Sequence, residues 1–350
     1  MSNQSGAIRV AYIGWTGENN IGDEAMYWSQ RVILGPEVSL IPVPLVGDNV
    51  VLRRFAAEKI DAVCLGGGTL IGNGHFGHAL GALQQAKPTA HYFMLGVGCE
   101  SHEYTEGNRR AVHQELETWK HLLGSFQKVR VRGPQSRETL GVFGVNSEIS
   151  GDPALLLPRW FDIVDRGIVG LNIGSSEDSY GDAASDPLEL MNEMASVITK
   201  AGFTVMLLPT TADDFRLCQR FLTTSPHRVM CHPRMLDFHE YSKAVAQCNF
   251  LVGMKLHSLV IAASQGVPPI ALEYRPKCSD FMRSVGFGER TMRLDGIDSS
   301  ELRKWFTEYD RDRDRLAKEL EDAVHGQRER LRTIAESERA KLLGSSIGSV

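Results

Sequence analysis

The chain has 350 residues, 42% of them hydrophobic, with 38 Lys and Arg against 43 Asp and Glu for a formal charge of −5. That length suits about two domains with cores of their own. The composition excludes wholesale disorder and gives no general electrostatic ground for binding nucleic acid or anionic lipid. No apolar run approaches the ~18–20 residues needed to cross a bilayer. The opening MSNQSGAIRVAYIG has neither a basic region nor a long apolar one, so it reads as a first strand and a cytoplasmic protein is expected. The six cysteines are scattered without C-x-x-C, which argues against a disulfide framework.

Short β-rich runs alternate with helical patterns, the signature of parallel α/β architecture. The first half reads as strand Ile8–Gly14, helix Asp23–Leu34, strand Val38–Val43, helix Val50–Lys59 and strand Asp61–Leu65. Then follow strand Tyr92–Val97, helix Arg109–Leu123, strand Lys128–Val131, helix Pro134–Leu140 and strand Ser147–Ile149. After a pause at Gly151–Pro158 the rhythm resumes with strand Ile168–Ile173, helix Pro187–Lys200, strand Thr204–Leu208 and helix Asp213–Phe221. Helix Leu236–Gln247, strand Phe250–Val252, a helix from Leu256 to Ser264 and strand Pro269–Leu272 complete it. The expected domains are 1–160, 161–308 and a charged C-terminal helix, 309–350. In that helix Leu316, Leu320, Val324, Leu331 and Ile334 share a face, and its last seven residues are expected to fray.

Five segments carry chemistry. Gly14–Glu24, with Gly17 and Asn20, follows the first strand and opens the first helix; its glycines and free N–H groups suit an anion, or it is an ordinary turn with Asp23 as N-cap. It is not the dinucleotide fingerprint. Gly66-Gly67-Gly68 follows the third strand, on the side where open α/β sheets bind ligands, and triple glycine costs entropy unless something must approach the chain. His75 and His78 lack a placed carboxylate, as Cys231 and His232 lack two further ligands, so no metal site is expected. Arg130 and Arg132 alternate along a strand; Arg132, nearer the turn, suits carboxylate or phosphate, and Arg130 equally a salt bridge. Most telling is Gly253-Met254-Lys255-Leu256-His257-Ser258, where cation, imidazole, hydroxyl and helix N-terminus converge. Downstream, Glu273 ends a strand four residues before Lys277, a spacing that also fits a simple ion pair.

In order, these segments resemble the polysaccharide pyruvyl transferase family over about residues 8–287. The matching pieces are Gly14 to Asp23, Gly66 to Gly68, Val131-Arg132 with Ser136, Asp152-Pro153-Ala154, Gly253 to Ala262 and Gly266 to Lys277. The family's usual Arg before Leu-His is Lys255 here, which keeps the cation and loses the bidentate grip. The resemblance implies two Rossmann-like domains facing across a GT-B-like cleft, acceptor on the first and donor on the second. It implies transfer of a pyruvyl group from phosphoenolpyruvate to a saccharide or lipid-linked saccharide, making a ketal and releasing phosphate in surface glycan synthesis. No cofactor is implied beyond phosphoenolpyruvate as substrate, and a homo-oligomer is compatible. On that reading His257 is the general acid, and Asp23 or Glu273 activates the acceptor. Arg132, Lys255, Ser258, Gly17, Asn20, Gly67, Gly68, His75 and Lys277 bind substrate. The competing readings are a GT-B glycosyltransferase with a nucleotide-sugar donor and a non-catalytic sugar- or anion-binding relative.

Overall fold

The computed structural model describes residues 7–45, 49–101, 109–160, 166–174 and 186–347. The chain divides into two compact units. The first comprises 1–18, 26–153 and 327–350, and the second 19–25 and 154–326. The boundary at Pro153/Ala154 precedes the expected 160, and residues 161–165 lie outside the described set.

The first unit runs β1 (Ile8–Ile13), α1 (Ile21–Leu34, of which 21–25 belong with the second unit), β2 (Val38–Pro42), α2 (Asn49–Ala57), β3 (Ala62–Leu65) and β4 (Gly68–Ile71). It continues with α3 (Gly74–Ala86), β5 (His91–Met94), β6 (Val97–Cys99), α4 (Arg109–Leu123), β7 (Val129–Val131), α5 (Pro134–Val142) and β8 (Ser147–Ile149). Its strands form two parallel four-stranded sheets, β2-β1-β3-β5 and β4-β6-β7-β8. Successive side chains of β1 point to opposite faces, so Ala11 and Ile13 enter one apolar cluster while Ile8, Val10 and Tyr12 enter another.

Three elements here were not expected: β4 and α3, in a region read as glycine-rich loop, and β6, because the single strand expected over Tyr92–Val97 is β5 and β6 in two different sheets. Gly74, Gly77 and Gly81 lower the helix propensity of α3, yet Asn73 caps it by accepting the His75 N–H at 3.0 Å. A Cβ on Gly74 would stand 2.7 Å from Glu115, and one on Gly77 3.2 Å from Trp119. Those glycines let α3 lie close against α4. The triple glycine has a packing cause too. Cβ atoms there would meet the Tyr12 ring at 2.3 Å and Met26 Sδ at 2.2 Å, and Gly68 has φ +110°.

The second unit runs β9 (Ile168–Asn172), α6 (Pro187–Lys200), β10 (Thr204–Leu207), α7 (Ala212–Thr224), β11 (Val229–Cys231), α8 (Phe238–Val245) and β12 (Phe250–Gly253). Then come α9 (Leu256–Ser264), β13 (Pro269–Glu273), α10 (Lys277–Ser284), β14 (Thr291–Arg293), α11 (Ser299–Arg311) and α12 (Arg313–Ile347). Its six parallel strands stand in the order β11-β10-β9-β12-β13-β14. That is the doubly wound Rossmann order, with its switch point between β9 and β12.

Helix α12 spans 35 residues, of which 313–326 belong with the second unit and 327–347 with the first. Leu316, Leu320, Val324 and Leu331 are buried along it, joined by Ala335 and Leu342, while Ile334 is half-buried. The terminal segment stays helical to Ile347, and 348–350 lie outside the described residues. Gly326 has open space around its Cα. Alanine there should raise stability by about 0.5–1 kcal/mol in urea unfolding, because helical glycine costs backbone entropy. Among the described residues no helix is long and apolar enough to cross a membrane.

Candidate active site

The chemistry-bearing side chains of the second unit gather at the carboxyl ends of β9, β10 and β12. Strand β12 is wholly buried and ends at Gly253, whose missing Cβ leaves room for Ser258 Oγ at 2.4 Å. The chain then turns through Lys255, the N-cap of α9. Asn172, at the end of β9, cross-ties the strand ends: its Oδ1 accepts the Lys255 N–H at 2.9 Å and its Nδ2 donates to the Leu208 carbonyl at 2.8 Å. Ser258 is fully buried and donates its hydroxyl proton to the Lys255 carbonyl at 2.6 Å, bracing the turn. Helix α9 is buried on nearly every side, and His257 is its half-buried exception.

His257 leans on the opening of α1, residues that belong with this unit. A Cβ on Gly22 would fall 2.0 Å from His257 Nδ1 and 2.4 Å from its Cβ, so only glycine lets the two backbones hold the imidazole between them. Asn20 caps that opening: its Oδ1 accepts the Gly22 N–H at 3.0 Å, while the Ile21 N–H donates to the Thr210 carbonyl at 3.1 Å. The cap is therefore Asn20, and Asp23, expected in that place, sits half-buried inside the first turn. Its carboxylate suits the positive end of the helix from there. Gly22→Ala should displace the imidazole or destabilise the unit by about 1–3 kcal/mol, read as a lower melting temperature or lost turnover.

Beyond β13, Tyr274 is 5% exposed and carries two ammonium groups against its ring: Lys255 Nζ at 5.1 Å and Lys277 Nζ at 4.9 Å from the centroid. Burial pushes the Tyr274 phenol up. Glu273, 6% exposed, accepts the Ser279 N–H at 3.1 Å in the first turn of α10, while Lys277 lies against Tyr274. Burial raises the Glu273 carboxyl, and the Ser279 hydrogen bonds and Arg293 pull it back. Two residues that the sequence reading did not single out complete the cluster. Asn172 is one; Asp214, 1% exposed on α7, is the other. Its signal was weak, because Thr211-Ala212-Asp213-Asp214 reads as a helix start, and Thr211 does cap α7.

The remaining candidates lie in the first unit. Arg132 is 1% exposed, with Nη2 donating to Thr69 Oγ1 at 3.3 Å and Nη1 3.7 Å from Asp152 Oδ2. Its guanidinium is buried beside these side chains, with Nε and Nη1 making no hydrogen bond among the described residues. Ser136 accepts the Cys99 N–H at 3.1 Å. Arg130 takes the salt-bridge alternative, 2.9 Å from Glu338 of α12. Gly67 donates its N–H to the Tyr12 hydroxyl at 3.4 Å, and Gly68 is fixed in the left-handed region. Gly17, with φ +80°, has open space beside it. His75 is exposed and stacks on Trp15, ring centroids 6.0 Å apart and 15° from parallel, a platform that sequence reading did not register.

Comparison with solved structures supports the fold class. The MnaA protein of S. aureus, solved with UDP, matches with TM-score 0.57 at 12% identity over 90% of this chain and 91% of that one. The UDP-GlcNAc 2-epimerase of Neisseria meningitidis bound to UDP-GlcNAc matches with TM-score 0.55 at 11% identity over 92% and 99%. MurG of Acinetobacter baumannii gives TM-score 0.50 at 12% identity over 94% and 99%. At such identity the likeness is one of fold: α/β, with two Rossmann-like domains of GT-B type. No curated protein matches. The polysaccharide pyruvyl transferase profile matches residues 17–276, most of the chain, and spans β9, β10, β12 and the opening of α9, ending one residue before Lys277. The chain belongs to the polysaccharide pyruvyl transferase family.

Proposed function

We propose that this transferase moves a pyruvyl group from phosphoenolpyruvate to two hydroxyls of a saccharide, free or lipid-linked, in surface glycan synthesis on the cytoplasmic side. The donor is a small molecule with a phosphate, a carboxylate and a nucleophilic methylene carbon. The observation that carries this reading is that Lys255, the α9 N-terminus and His257 stand together at the Rossmann switch point of the second unit, with Lys277 against the Tyr274 ring that Lys255 also meets. The two ammonium groups and the helix N–H groups suit the donor's anions. His257 supplies a proton to the methylene carbon, making C2 electrophilic as a first hydroxyl attacks it. A second hydroxyl then displaces phosphate from C2. Of the two hydroxyl protons, one replaces that given by His257 and the other leaves with the phosphate. Asp23 or Glu273 is the candidate to accept a hydroxyl proton. On the acceptor side, the Trp15–His75 stack offers the flat face on which a sugar ring packs.

The test is incubation of the full chain with phosphoenolpyruvate and a panel of saccharides, following inorganic phosphate and an acid-labile ketal. Both products should appear together. Release of a nucleoside diphosphate from a nucleotide sugar, with no phosphate from phosphoenolpyruvate, would make the protein a glycosyltransferase instead. Neither release, with sugar or anion binding retained, would make it a non-catalytic relative.

A further inference from the structure

Asp214 lies beside the cation to which the donor has been assigned. Its Oδ2 accepts the Thr210 N–H at 3.3 Å and the Thr210 hydroxyl at 2.9 Å. Its Oδ1 is buried and accepts no hydrogen bond among the described residues. That oxygen faces the bare Cα of Gly174, where an added Cβ would stand 2.1 Å from Asp214 Oδ1 and 2.6 Å from Lys255 Cε. Carboxylate and lysine stem therefore converge on one point of the Gly174 backbone, just beyond β9. Among the described residues, the other titratable groups that interact with Asp214 are Tyr241, Tyr274 and Cys218. Burial keeps the two phenols neutral, and a hydrogen bond with Cys231, with burial, keeps the Cys218 thiol so. Lys255 supplies the compensating charge: burial pushes the Asp214 carboxyl up, and the Lys255 ammonium pulls it down.

We infer that Asp214 and an anionic donor compete for Lys255, so that donor binding is coupled to proton uptake by Asp214. The inference rests on the reading of Lys255 as a donor ligand. In the empty site the ammonium neutralises the buried carboxylate. A donor carrying phosphate and carboxylate draws that ammonium away and leaves Asp214 in a low-dielectric place without its counter-charge. A buried carboxylate in that position takes a proton rather than stay ionised. The Thr210 bonds survive the change, since Oδ2 accepts them in either state. Asp214 thereby acts as a positioning residue: it holds Lys255 near Gly174 until a sufficiently strong anion arrives. Weak monoanions do not repay the displacement, so the device favours a doubly acidic ligand over a simple carboxylate.

Isothermal titration of the full chain with phosphoenolpyruvate, at about pH 7.5 in two buffers of different ionisation enthalpy, reads the proton number directly. Wild type should take up a large fraction of about one proton per donor, and its affinity should rise as pH falls. Asp214→Asn should take up almost none and bind about tenfold more tightly at about pH 8.5, where wild type must find a scarce proton. His257→Ala should retain the uptake, which excludes the imidazole as its source. Wild-type binding without proton uptake overturns the inference while leaving the donor reading intact, and needs no variant to fold. Uptake that persists in Asp214→Asn overturns it equally. Absence of any phosphoenolpyruvate binding overturns the donor reading and the inference with it.

Discussion

His257→Ala should lower the rate of phosphate release from phosphoenolpyruvate by about 10²–10⁴-fold, the range over which a positioned general acid contributes. The methylene carbon of an enol ester is a poor base, and water at neutral pH is a poor acid, so the loss should fall on kcat more than on KM. Lys255→Ala should fall on the other parameter, raising KM for the donor by about 10–100-fold through loss of a charge-assisted hydrogen bond. Lys255→Arg tests the departure from the family pattern. It keeps the cation but replaces a flexible ammonium with a planar fork, so it should bind donor at least as well while loosening the hold of Asp214. Unchanged turnover in both alanine variants, each shown to be folded, would remove the catalytic assignment of this helix opening.

Glu338→Ala should cost about 3–5 kcal/mol in urea unfolding. Glu338 is 1% exposed on the part of α12 that belongs to the first unit. Its carboxylate stands 2.9 Å from Arg130 Nη1, 2.7 Å from His91 Nε2 and 3.1 Å from Lys341 Nζ. Arg130 is itself 5% exposed, so deleting the acid leaves a buried guanidinium without its principal partner. Burial alone would raise the Glu338 carboxyl, yet hydrogen bonds from His91, Arg130 and Lys341 bring it down to about 2. A carboxyl held below its unfolded value stabilises the fold above that value, and the contribution is lost as pH falls through the folded one. The stability difference between wild type and Glu338→Gln should therefore shrink between about pH 4.5 and pH 2. A difference independent of pH across that window, or an alanine cost below about 1 kcal/mol, would show that the cluster contributes little.

The parts of this molecule that were legible in its letters are those decided locally. Val10, Leu65, Val252 and Ile270 lie in short apolar runs bounded by turn residues, and each became a buried parallel strand. The opening of α9 was visible for the same reason: in an alternating strand–helix chain, the segment after the glycine that closes a buried strand opens a helix, which puts Lys255 and His257 beyond the strand's carboxyl end. What the letters could not show depends on distant pairs. Arg130 and Glu338 are 208 residues apart, so a strand arginine that looked as fit for substrate as for a salt bridge was settled only by folding. The burial of Arg132 beside Thr69 and Asp152 likewise comes from two other segments. Helix α3 was missed because its glycines serve contact with Trp119 and Glu115 rather than any local preference. Asp214 was missed because a helix-opening acid is commonplace, and only Gly174 and Lys255 distinguish this one.

A crystal structure of the full chain soaked with phosphoenolpyruvate tests the central claim most directly. The account predicts donor density at the carboxyl ends of β9 and β12, an anionic group within hydrogen-bonding distance of Lys255 Nζ, and the methylene carbon facing the His257 imidazole. Donor density away from Lys255 and His257, in a crystal that turns over the same compound, would contradict it.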